Sequence, residues 1–358
     1  MCMTCGTTLD TTKMDAFADR YVGMLNSGMT AMMISIGHRA GLFDAMADGA
    51  SRTSSEWAEA AGLHERYVRE WLAAMVVSRI IERDATANTF RLPGEHAHWL
   101  CRKAPVANLA VFAQYLPLLA QVEDQILDCF RQGGGLPYEA YSRFHDVMAE
   151  DSGQTIVPAL LDHVVPLIPG WHERLTNGID VLDVGCGKGR ALMALARAYP
   201  NSFFTGYDLN ATVIEAARKE AGDLPNIRFE VRDLTHWDEP AAFDWVLALD
   251  AIHDQARPDL VLSAIRRTLR PGGAFFMQDI DANSDPSDNL EHPLGAFLYA
   301  ISTMHCMPVS LAQGGMGLGT AWGVQLAERM LREAGFDAIT THRFPHDSQN
   351  VYFIMKLP

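Results

Sequence analysis

A buried strand that runs into a glycine-rich turn, within residues 181–189, constrains the fold of this chain more than any other segment. The sequence there is Val-Leu-Asp-Val followed by Gly-Cys-Gly-Lys-Gly, and a helical pattern begins directly afterwards. Glycine permits the tight backbone of such a turn, and the first N–H groups of the helix remain free to bind a ligand. From residue 178 onward, strand and helix patterns alternate, which predicts an α/β fold with a parallel sheet covered by helices on both faces.

The alternating region is predicted to contain five strands with three helices between them, followed by a helix and two further strands. The predicted strands are 179–184, 203–208, 227–232, 245–249, 274–278, 338–343 and 351–355. The predicted helices are 189–198, 212–220, 258–269 and 324–334.

The N-terminal region is predicted to be mostly helical. Thr53 and Glu56 form a capping-box pattern that begins a short helix, and apolar residues recur at helical spacing over 64–78. An apolar, Met-rich segment at 29–47 comes before them and a hairpin pattern at 80–92 comes after them. The order helix, helix, helix, hairpin is typical of a winged-helix domain.

Changes in composition and pattern divide the chain into four predicted segments. These are a loose tail at 1–12, a helical and winged-helix domain at 13–104, a helical linker and lid at 105–175, and the sheet domain at 176–358.

The acidic composition argues against a DNA-binding function. The formal charge is −15, and residues 1–100 contain nine Lys and Arg against twelve Asp and Glu. The third helix of the winged-helix pattern carries Arg66 and Arg69, but also Glu65 and Glu70. A DNA-binding surface needs clustered basic residues. We therefore favour a homodimer formed through the apolar N-terminal helices, and a DNA-binding regulator that senses a ligand is the alternative.

Cysteine content and hydropathy favour a soluble protein in a reducing compartment. Six cysteines in 358 residues are too few for a disulfide scaffold, so we predict a cytoplasmic location. The apolar stretch 105–122 is interrupted by polar residues and Pro117, which favours a buried helix over a membrane span, and residues 1–13 lack a secretory pattern. Cys2 and Cys5 form an isolated CxxC pattern. Because a tetrahedral zinc site needs four ligands, we predict no metal there.

Acidic residues end the two strands that follow the glycine turn, and they point to an adenosine ligand. Asp208 ends the second strand, where a carboxylate can accept both hydroxyl groups of a ribose. Asp233 follows the third strand and can accept an adenine amino group, while Leu209 and Leu234 bracket the ring. The turn has the spacing GxGxG, without the last glycine of the dinucleotide pattern GxGxxG. Each feature alone also suits a helix cap or a turn, but their succession at three strand ends favours one ligand site.

These segments together resemble the class I S-adenosylmethionine-dependent methyltransferases. LDVGCGKG matches the first motif of that family, YDL the acidic second, RDL the third, FDWVLALD the fourth, and LRPGG the turn before the fifth strand. The resemblance covers about residues 178–358 and implies a Rossmann-like sheet of seven strands whose last strand is antiparallel. The N-terminal half is similar to the winged-helix extension of small-molecule O-methyltransferases and of bacterial methyltransferases with a helical lid.

The resemblance implies S-adenosylmethionine as cofactor. The residues expected to bind it are Asp183, Gly185, Cys186, Gly187, Asp208, Leu209, Asp233, Leu234 and Asp250. Asp250 is expected to face the methionine amine of the cofactor, and Asp183 to brace the glycine turn or to contact the same amine through water. Cys186 is expected to contribute small size and a backbone contact, because no partner base for a nucleophilic thiol is in view.

The insertion at 281–322 is expected to form a roof over the substrate, as insertions at this place do in the fold. Its glycine-rich run at 314–319 predicts a mobile lid. His305 and Cys306 in the same insertion either touch the substrate or end a packed helix, and the packed helix end is favoured.

His253 is the candidate catalytic residue. Methyl transfer is an SN2 displacement, so an enzyme must align the nucleophile, exclude water and remove the proton of a hydroxyl acceptor. A histidine just past the fourth strand suits that role near neutral pH, and it matches the His-Asp pair of small-molecule O-methyltransferases. The tryptophan usual after that pair is Gln255 here. Alternatively, His253 bonds a backbone carbonyl, and Asp254 either orients His253 or, as we favour, caps the helix at 258–269.

The sequence thus predicts methyl transfer to a small, mostly apolar hydroxylated molecule. Transfer to nitrogen, sulfur or carbon with the same cofactor is the alternative within the same enzyme class.

Overall fold

A computed structural model of the chain describes residues 9–104, 108–345 and 347–358. The chain divides into two compact units, Met1–Pro117 and Leu118–Pro358.

The beginning of the chain differs in part from the prediction. Cys2, Cys5 and most of the predicted tail at 1–12 lie outside the described residues. The last two residues of that predicted tail are helical, because the Asp10 side chain accepts N–H groups of a helix that begins at Thr11.

The N-terminal unit contains the predicted order of helices followed by a hairpin. Its elements are α1 Thr11–Arg39, α2 Leu42–Ala45, α3 Ser54–Ala61, α4 Glu65–Val77, β1 Glu82–Asp84, β2 Thr89–Arg91, α5 Gly94–Leu100 and a 3-10 segment Leu109–Gln114. The predicted capping box is present at the start of α3, where the side chains of Thr53 and Glu56 each accept the N–H of the other residue. β1 and β2 pair antiparallel, as expected for the wing.

The packing of α1 against α4 depends on a glycine. A Cβ on Gly37 would lie 2.3 Å from the ring of Trp71, whereas a Cβ on Gly23 of the same helix would meet nothing within 4 Å. We expect Gly37→Ala to lower the free energy of unfolding by about 1–3 kcal/mol, since the buried ring must shift. Gly23→Ala should raise it by about 0.5–1 kcal/mol, because alanine favours a helix. Urea unfolding of both variants measures these changes, and similar effects of the two substitutions would contradict the packing argument.

From residue 115 onward the chain forms a series of helices and then alternates strand and helix. The first group is α6 Tyr115–Ala120, α7 Glu123–Gln132, a 3-10 segment Tyr138–Ala140, α8 Phe144–Gln154, α9 Ile156–Ala159, a π-helical segment Leu160–Val164, a 3-10 segment Val165–Leu167 and α10 Trp171–Asn177. The second group is β3 Asp180–Val184, α11 Arg190–Ala198, β4 Phe203–Asp208, α12 Ala211–Ala221, β5 Ile227–Val231, a 3-10 segment Leu234–His236, β6 Phe243–Leu249, α13 Pro258–Thr268 and β7 Leu269–Ile280. The third group is a 3-10 segment Pro286–Asn289, α14 Gly295–Ile301, a π-helical segment Ser302–Cys306, α15 Met307–Ala312, α16 Val324–Glu333, β8 Ile339–Phe344 and β9 Asp347–Lys356.

Seven strands form one sheet in the order β5-β4-β3-β6-β7-β9-β8. β3 to β7 pair parallel, and β9 runs antiparallel to both of its neighbours, which confirms the predicted architecture. Buried apolar residues form two clusters, and successive residues of a strand alternate between them, as Val181 and Leu182 of β3 do. The segment LRPGG, predicted as a turn, is instead the irregular start of β7, whose pairing with β6 shifts register after Phe243.

The carboxyl ends of β3, β4 and β5 meet at one edge of the sheet. Val184, the last residue of β3, pairs with Tyr207, and Asp208, the last residue of β4, pairs with Val231 of β5. The three strand ends that carry the predicted ligand residues are therefore neighbours. Open α/β sheets bind their ligands at this edge.

One helical run, Gly295–Ala312, is apolar and long enough to cross a membrane by length and composition, and 39% of it is buried within the structure. It packs inside its own unit, because the Tyr141 hydroxyl donates to the Met304 carbonyl at 2.5 Å and the ring of His305 stacks on Phe144. A core helix of a globular protein passes the same test. The predicted apolar helix at 105–122 is shorter, and its described part spans Leu109–Ala120.

Candidate functional site

The glycine turn after β3 adopts backbone conformations that residues with a side chain rarely adopt. Gly185, Gly187 and Gly189 have φ angles of 73°, 53° and 69°. A Cβ on Gly185 would lie 2.6 Å from the side chain of Ala251, and a Cβ on Gly189 would lie 2.2 Å from the ring of Phe229. At Gly187 a Cβ would meet nothing within 4 Å, so the backbone there is open to a ligand.

Asp208 contacts the glycine turn directly. Its Oδ2 accepts the Gly187 N–H at 2.9 Å, and its Oδ1 accepts the Asn210 N–H at 2.9 Å. A carboxylate offers about four acceptor positions, so this pair of bonds leaves acceptor capacity for a further ligand. The structure therefore brings the predicted acid and the predicted turn together.

Asp233 lies at the next strand end and begins a 3-10 segment. Its Oδ1 accepts the N–H of Thr235 at 2.9 Å and the hydroxyl of the same residue at 2.5 Å. The hydroxyl bond lowers the pKa of Asp233, which keeps the carboxylate charged. Of the two leucines predicted to bracket a ring, Leu209 is 47% exposed, whereas Leu234 is 5% exposed and packs in the core.

Asp183 and Cys186 are buried beside the glycine turn. The Oδ1 of Asp183 has no hydrogen-bond partner among the described residues, and burial followed by the charge of Asp208 raises the pKa of Asp183 well above its usual value. A Cβ on Gly206 would lie 2.8 Å from the Cys186 Sγ, so these two residues can pack this closely only because residue 206 is glycine. Burial also raises the pKa of Cys186, which disfavours the reactive thiolate.

Asp250 follows β6 in a left-handed backbone conformation, with φ 55°. This conformation is costly for a residue with a side chain and is concentrated at functional sites. The Asp250 N–H donates to the Gln278 carbonyl at 2.9 Å, but the buried Oδ1 has no hydrogen-bond partner in the described part of the chain. Burial raises the pKa of Asp250 to about 7, against the opposing effect of the charge of His253.

His253 is 2% exposed and lies among carboxylates. Its Nδ1 bonds the Asp279 Oδ1 at 2.9 Å, and its Nε2 lies 3.3 Å from the Asp254 Oδ1. Its Nδ1 lies 3.8 Å from the Asp250 Oδ1. Burial lowers the pKa of His253, but the charges of Asp279 and Asp254 outweigh it and raise that pKa well above the ordinary value.

The surroundings of His253 differ from the prediction in the position of Asp254 and in the presence of Asp279. Asp254 does not cap α13, whose N-cap is Arg257 without a side-chain bond. Instead Asp254 faces His253 and accepts a weak bond from the Tyr138 hydroxyl at 3.4 Å. The motifs in the sequence do not point to Asp279. Its signal is an acidic residue at the end of the fifth strand of the sheet.

Asp279 is held firmly in place. Besides His253, its Oδ1 accepts the N–H of Ile280 at 2.8 Å and the indole N–H of Trp322 at 3.0 Å. Asp279 itself is 1% exposed. A carboxylate fixed by three donors can fix the orientation of the imidazole that it contacts.

The insertion at 281–322 packs close to this cluster. His305 and Cys306 are buried, but they lie in the π-helical segment inside the helical run Gly295–Ala312 and not at a helix end as predicted. The ring of His305 lies 4.6 Å from that of Tyr141. The Cys306 Sγ accepts the hydroxyl of Thr320 at 3.0 Å. In the glycine-rich run, a Cβ on Gly315 would lie 2.5 Å from the backbone of residue 256, so this part of the predicted lid is tightly packed.

Comparisons with known proteins assign both domains. Residues 175–335 match the model of a methyltransferase domain, and residues 28–102 match the model of an Rv2258c-like winged helix-turn-helix domain. Among solved structures, human N-acetylserotonin methyltransferase in complex with SAM has a TM-score of 0.68 at 16% identity, over 98% of this chain and 99% of that one. An O-methyltransferase family protein from Burkholderia thailandensis has a TM-score of 0.66 at 18% identity, over 98% and 99%. These two likenesses establish the fold.

Similar curated proteins match only part of the chain. A fatty-acid O-methyltransferase of Mycolicibacterium smegmatis is 36% identical over 105 residues, which are 29% of this chain and 38% of that protein. A ubiquinone biosynthesis O-methyltransferase of Paracidovorax citrulli is 33% identical over 131 residues, 35% of this chain and 54% of that protein. The chain thus spans about two fifths to one half of the length of these relatives.

Proposed function

Because residues 175–335 form a methyltransferase domain and residues 28–102 a winged-helix domain, we propose that this protein transfers a methyl group from S-adenosylmethionine to a small hydroxylated molecule. The observation that carries the proposal is the bond between His253 Nδ1 and Asp279 Oδ1, 2.9 Å long, just past the end of β6. It places an oriented imidazole just after β6, and β6 pairs with β3, the strand that leads into the glycine turn.

The residues at this edge fit the proposed cofactor. The open backbone at Gly187 and the acceptor capacity of Asp208 suit the adenosine part of S-adenosylmethionine. Among the described residues, the buried Oδ1 atoms of Asp183 and Asp250 accept no hydrogen bond. They suit the ammonium group of the cofactor, because a buried carboxyl oxygen without a donor is costly until a donor reaches it. When bound, the cofactor supplies a methyl group already activated by its sulfonium charge.

The chain itself must position the acceptor and remove its proton. In the neutral ring, the Nδ1–H of His253 donates to Asp279, so Nε2 carries the lone pair that accepts a proton. Asp279 also stabilises the imidazolium that forms. Burial of the cluster excludes water, which would otherwise solvate the acceptor oxygen.

The surroundings of the base favour a mostly apolar acceptor. Tyr141, Phe144 and His305 form a group of ring contacts, and Tyr138 joins this group to Asp254. Burial lowers the pKa of His305 well below its usual value, so this ring is uncharged like the rings of Tyr141 and Phe144 that it contacts. An uncharged aromatic or aliphatic alcohol suits such walls better than an anionic acceptor does.

Product analysis tests the proposal. We would incubate the protein with methyl-labelled S-adenosylmethionine and a panel of phenols and aliphatic alcohols, and expect the label on the acceptor oxygen. Calorimetry with S-adenosylhomocysteine measures the cofactor site separately. Label on nitrogen, sulfur or carbon would favour the alternative acceptors, and no heat with either cofactor form would reject the proposal.

The N-terminal helix supports a homodimer, which we include in the proposal. Along α1, Met14, Phe17, Tyr21, Leu25 and Met29 recur every three or four residues and are all exposed. Such an apolar stripe marks a protein interface.

We expect light scattering to give a mass near twice 39.5 kDa. Phe17→Glu with Leu25→Glu should give the monomer mass, because two charges cannot be buried in an apolar interface without partners. Leu290→Glu is the control, since Leu290 is 80% exposed outside the stripe. A monomeric wild type would reject the dimer.

Two ion pairs on α4 weigh against the DNA-binding alternative. Arg66 pairs with Glu70 at 2.5 Å, and Arg69 pairs with Glu65 at 3.5 Å. The basic groups of the helix that would enter a groove are therefore neutralised by their neighbours. Duplex binding that weakens with added salt would restore the alternative.

The cysteines support the proposed cytoplasmic location. Cys101, Cys129, Cys186 and Cys306 are free thiols. Free thiols persist in a reducing compartment.

A further inference from the structure

Three side chains of the base cluster bring together a nitrogen, an oxygen and a sulfur. One ring nitrogen of His253, one carboxylate oxygen of Asp254 and the Cys306 Sγ all lie within 4.8 Å of one another. The His253 Nε2 lies 3.3 Å from the Asp254 Oδ1. Ligand atoms of a tetrahedral zinc ion, with bonds of about 2.0–2.3 Å, lie about 3.3–3.8 Å apart. Because no two of these ligand atoms are more than 4.8 Å apart, an approach of at most about 1.5 Å brings each pair to a separation at which one ion can bind both.

Each of the three side chains is also held from its other side. Asp279 bonds the Nδ1 of His253 at 2.9 Å, and Thr320 donates to the Cys306 Sγ at 3.0 Å. Tyr138 lies 3.4 Å from the second oxygen of Asp254. Carboxylate–histidine–metal arrangements of this kind orient the ligands of metal sites. The remaining Asp254 oxygen is buried and has no hydrogen-bond partner among the described residues.

We propose that His253, Asp254 and Cys306 form a binding site for a thiophilic divalent cation such as Zn²⁺. Imidazole, thiolate and carboxylate are the ligands that zinc takes in proteins, and a thiolate excludes Mg²⁺ and Ca²⁺ as preferred occupants. Three protein ligands leave a fourth position open to water or to another small ligand. Cys306 enters the site from the π-helical segment Ser302–Cys306, and such segments are frequent at functional sites.

Zinc and the proposed base role exclude each other. A metal ion on the His253 Nε2 occupies the lone pair with which the ring accepts a proton. We therefore expect zinc to inhibit methyl transfer and a chelator to restore it, an expectation that rests on the proposed function. The binding itself does not depend on the proposed function.

Zinc titration against a chromophoric chelator tests the site in the full chain with Cys2→Ser and Cys5→Ser, which removes the separate CxxC pattern. We expect one zinc ion per chain, and a loss of affinity of about 100-fold or more in Cys306→Ser. Asp279→Asn should weaken binding about 10–100-fold through the orientation of the ring. Cys129→Ser is the matched control, because Cys129 is a free thiol of the same unit outside the cluster, and it should leave the affinity unchanged.

Co²⁺ provides a second readout that does not depend on a variant. A thiolate ligand gives a charge-transfer band that imidazole and carboxylate do not give, so we expect the band in the parent protein and its loss in Cys306→Ser. No band and no zinc uptake by the parent would overturn the proposal. Zinc that persists in Cys306→Ser but is lost in Asp250→Asn would also overturn it, in favour of the carboxylate-rich set Asp250, His253 and Asp279. Methyl transfer without zinc binding would reject the metal site and leave the proposed function intact. Zinc binding without methyl transfer would reject the proposed function and leave the metal site intact.

Discussion

Asp208→Ala is expected to weaken the binding of S-adenosylhomocysteine about 100-fold or more. The Asp208 carboxylate braces the glycine turn through the Gly187 N–H at 2.9 Å and keeps acceptor capacity for the ribose hydroxyls. Hydrogen bonds to a charged acceptor contribute about 1.5–3 kcal/mol each, and two of them correspond to at least a 100-fold change in affinity. Isothermal titration calorimetry measures the change directly.

Asp208→Asn separates the two roles of this side chain. Its amide oxygen can still accept the Gly187 N–H, but it lacks the charge and one acceptor oxygen. We expect it to bind between the wild type and Asp208→Ala. Asp238→Asn is the control for loss of one negative charge, because Asp238 lies on the surface in an ion pair with Arg267. If Asp208→Ala bound the ligand as the wild type does, the proposed cofactor site would be wrong.

The sequence predicts best the features that depend on residues adjacent to one another in the chain. The glycine turn needs positive φ angles at fixed positions, and only glycine adopts them without strain, so the turn was visible in the sequence. Asp208 and Asp233 follow directly from the strand patterns whose ends they mark. The irregular start of β7 could not be predicted from LRPGG, because its register is set by β6 across the sheet.

The base cluster shows what local patterns miss. Leu249 pairs with Gln278, and this register places Asp250 beside Asp279, although 28 residues separate them in the chain. The partner of His253 thus depends on the pairing of two strands. The sequence alone left a backbone carbonyl or a catalytic role open for this ring. Asp254 suited a helix cap by position, but the N-cap of α13 is Arg257, and Asp254 faces the histidine instead.

His253→Ala is expected to lower the turnover of methyl transfer by about 10²–10⁴-fold while the protein still binds S-adenosylhomocysteine. Removal of a positioned general base has an effect of this size. His172→Ala is the matched control, because His172 also bonds a side chain, the hydroxyl of Tyr199 at 2.9 Å, outside the cluster. A loss of less than about 10-fold would show that His253 is not the general base, and it would favour the alternative of a nitrogen, sulfur or carbon acceptor.

The pH dependence distinguishes the base from a structural histidine. The groups that face His253 are Asp250 and Asp254 after β6, Asp279 on β7 and Cys306 in the insertion. Burial lowers the pKa of His253, but the charges of Asp279 and Asp254 raise it well above the ordinary value. The imidazolium cannot accept a proton, so turnover should be low at acidic pH and rise as the pH passes through this raised pKa.

Asp279→Asn should move that rise to lower pH, since the loss of its charge lowers the pKa of the ring. Its maximal turnover should fall as well, because the amide no longer stabilises the imidazolium that forms when the acceptor loses its proton. A purely structural Asp279 would lower turnover by the same factor at every pH. The pH profile of kcat in the variant and in the wild type therefore decides whether the dyad acts in proton removal, and an unshifted profile would limit Asp279 to packing.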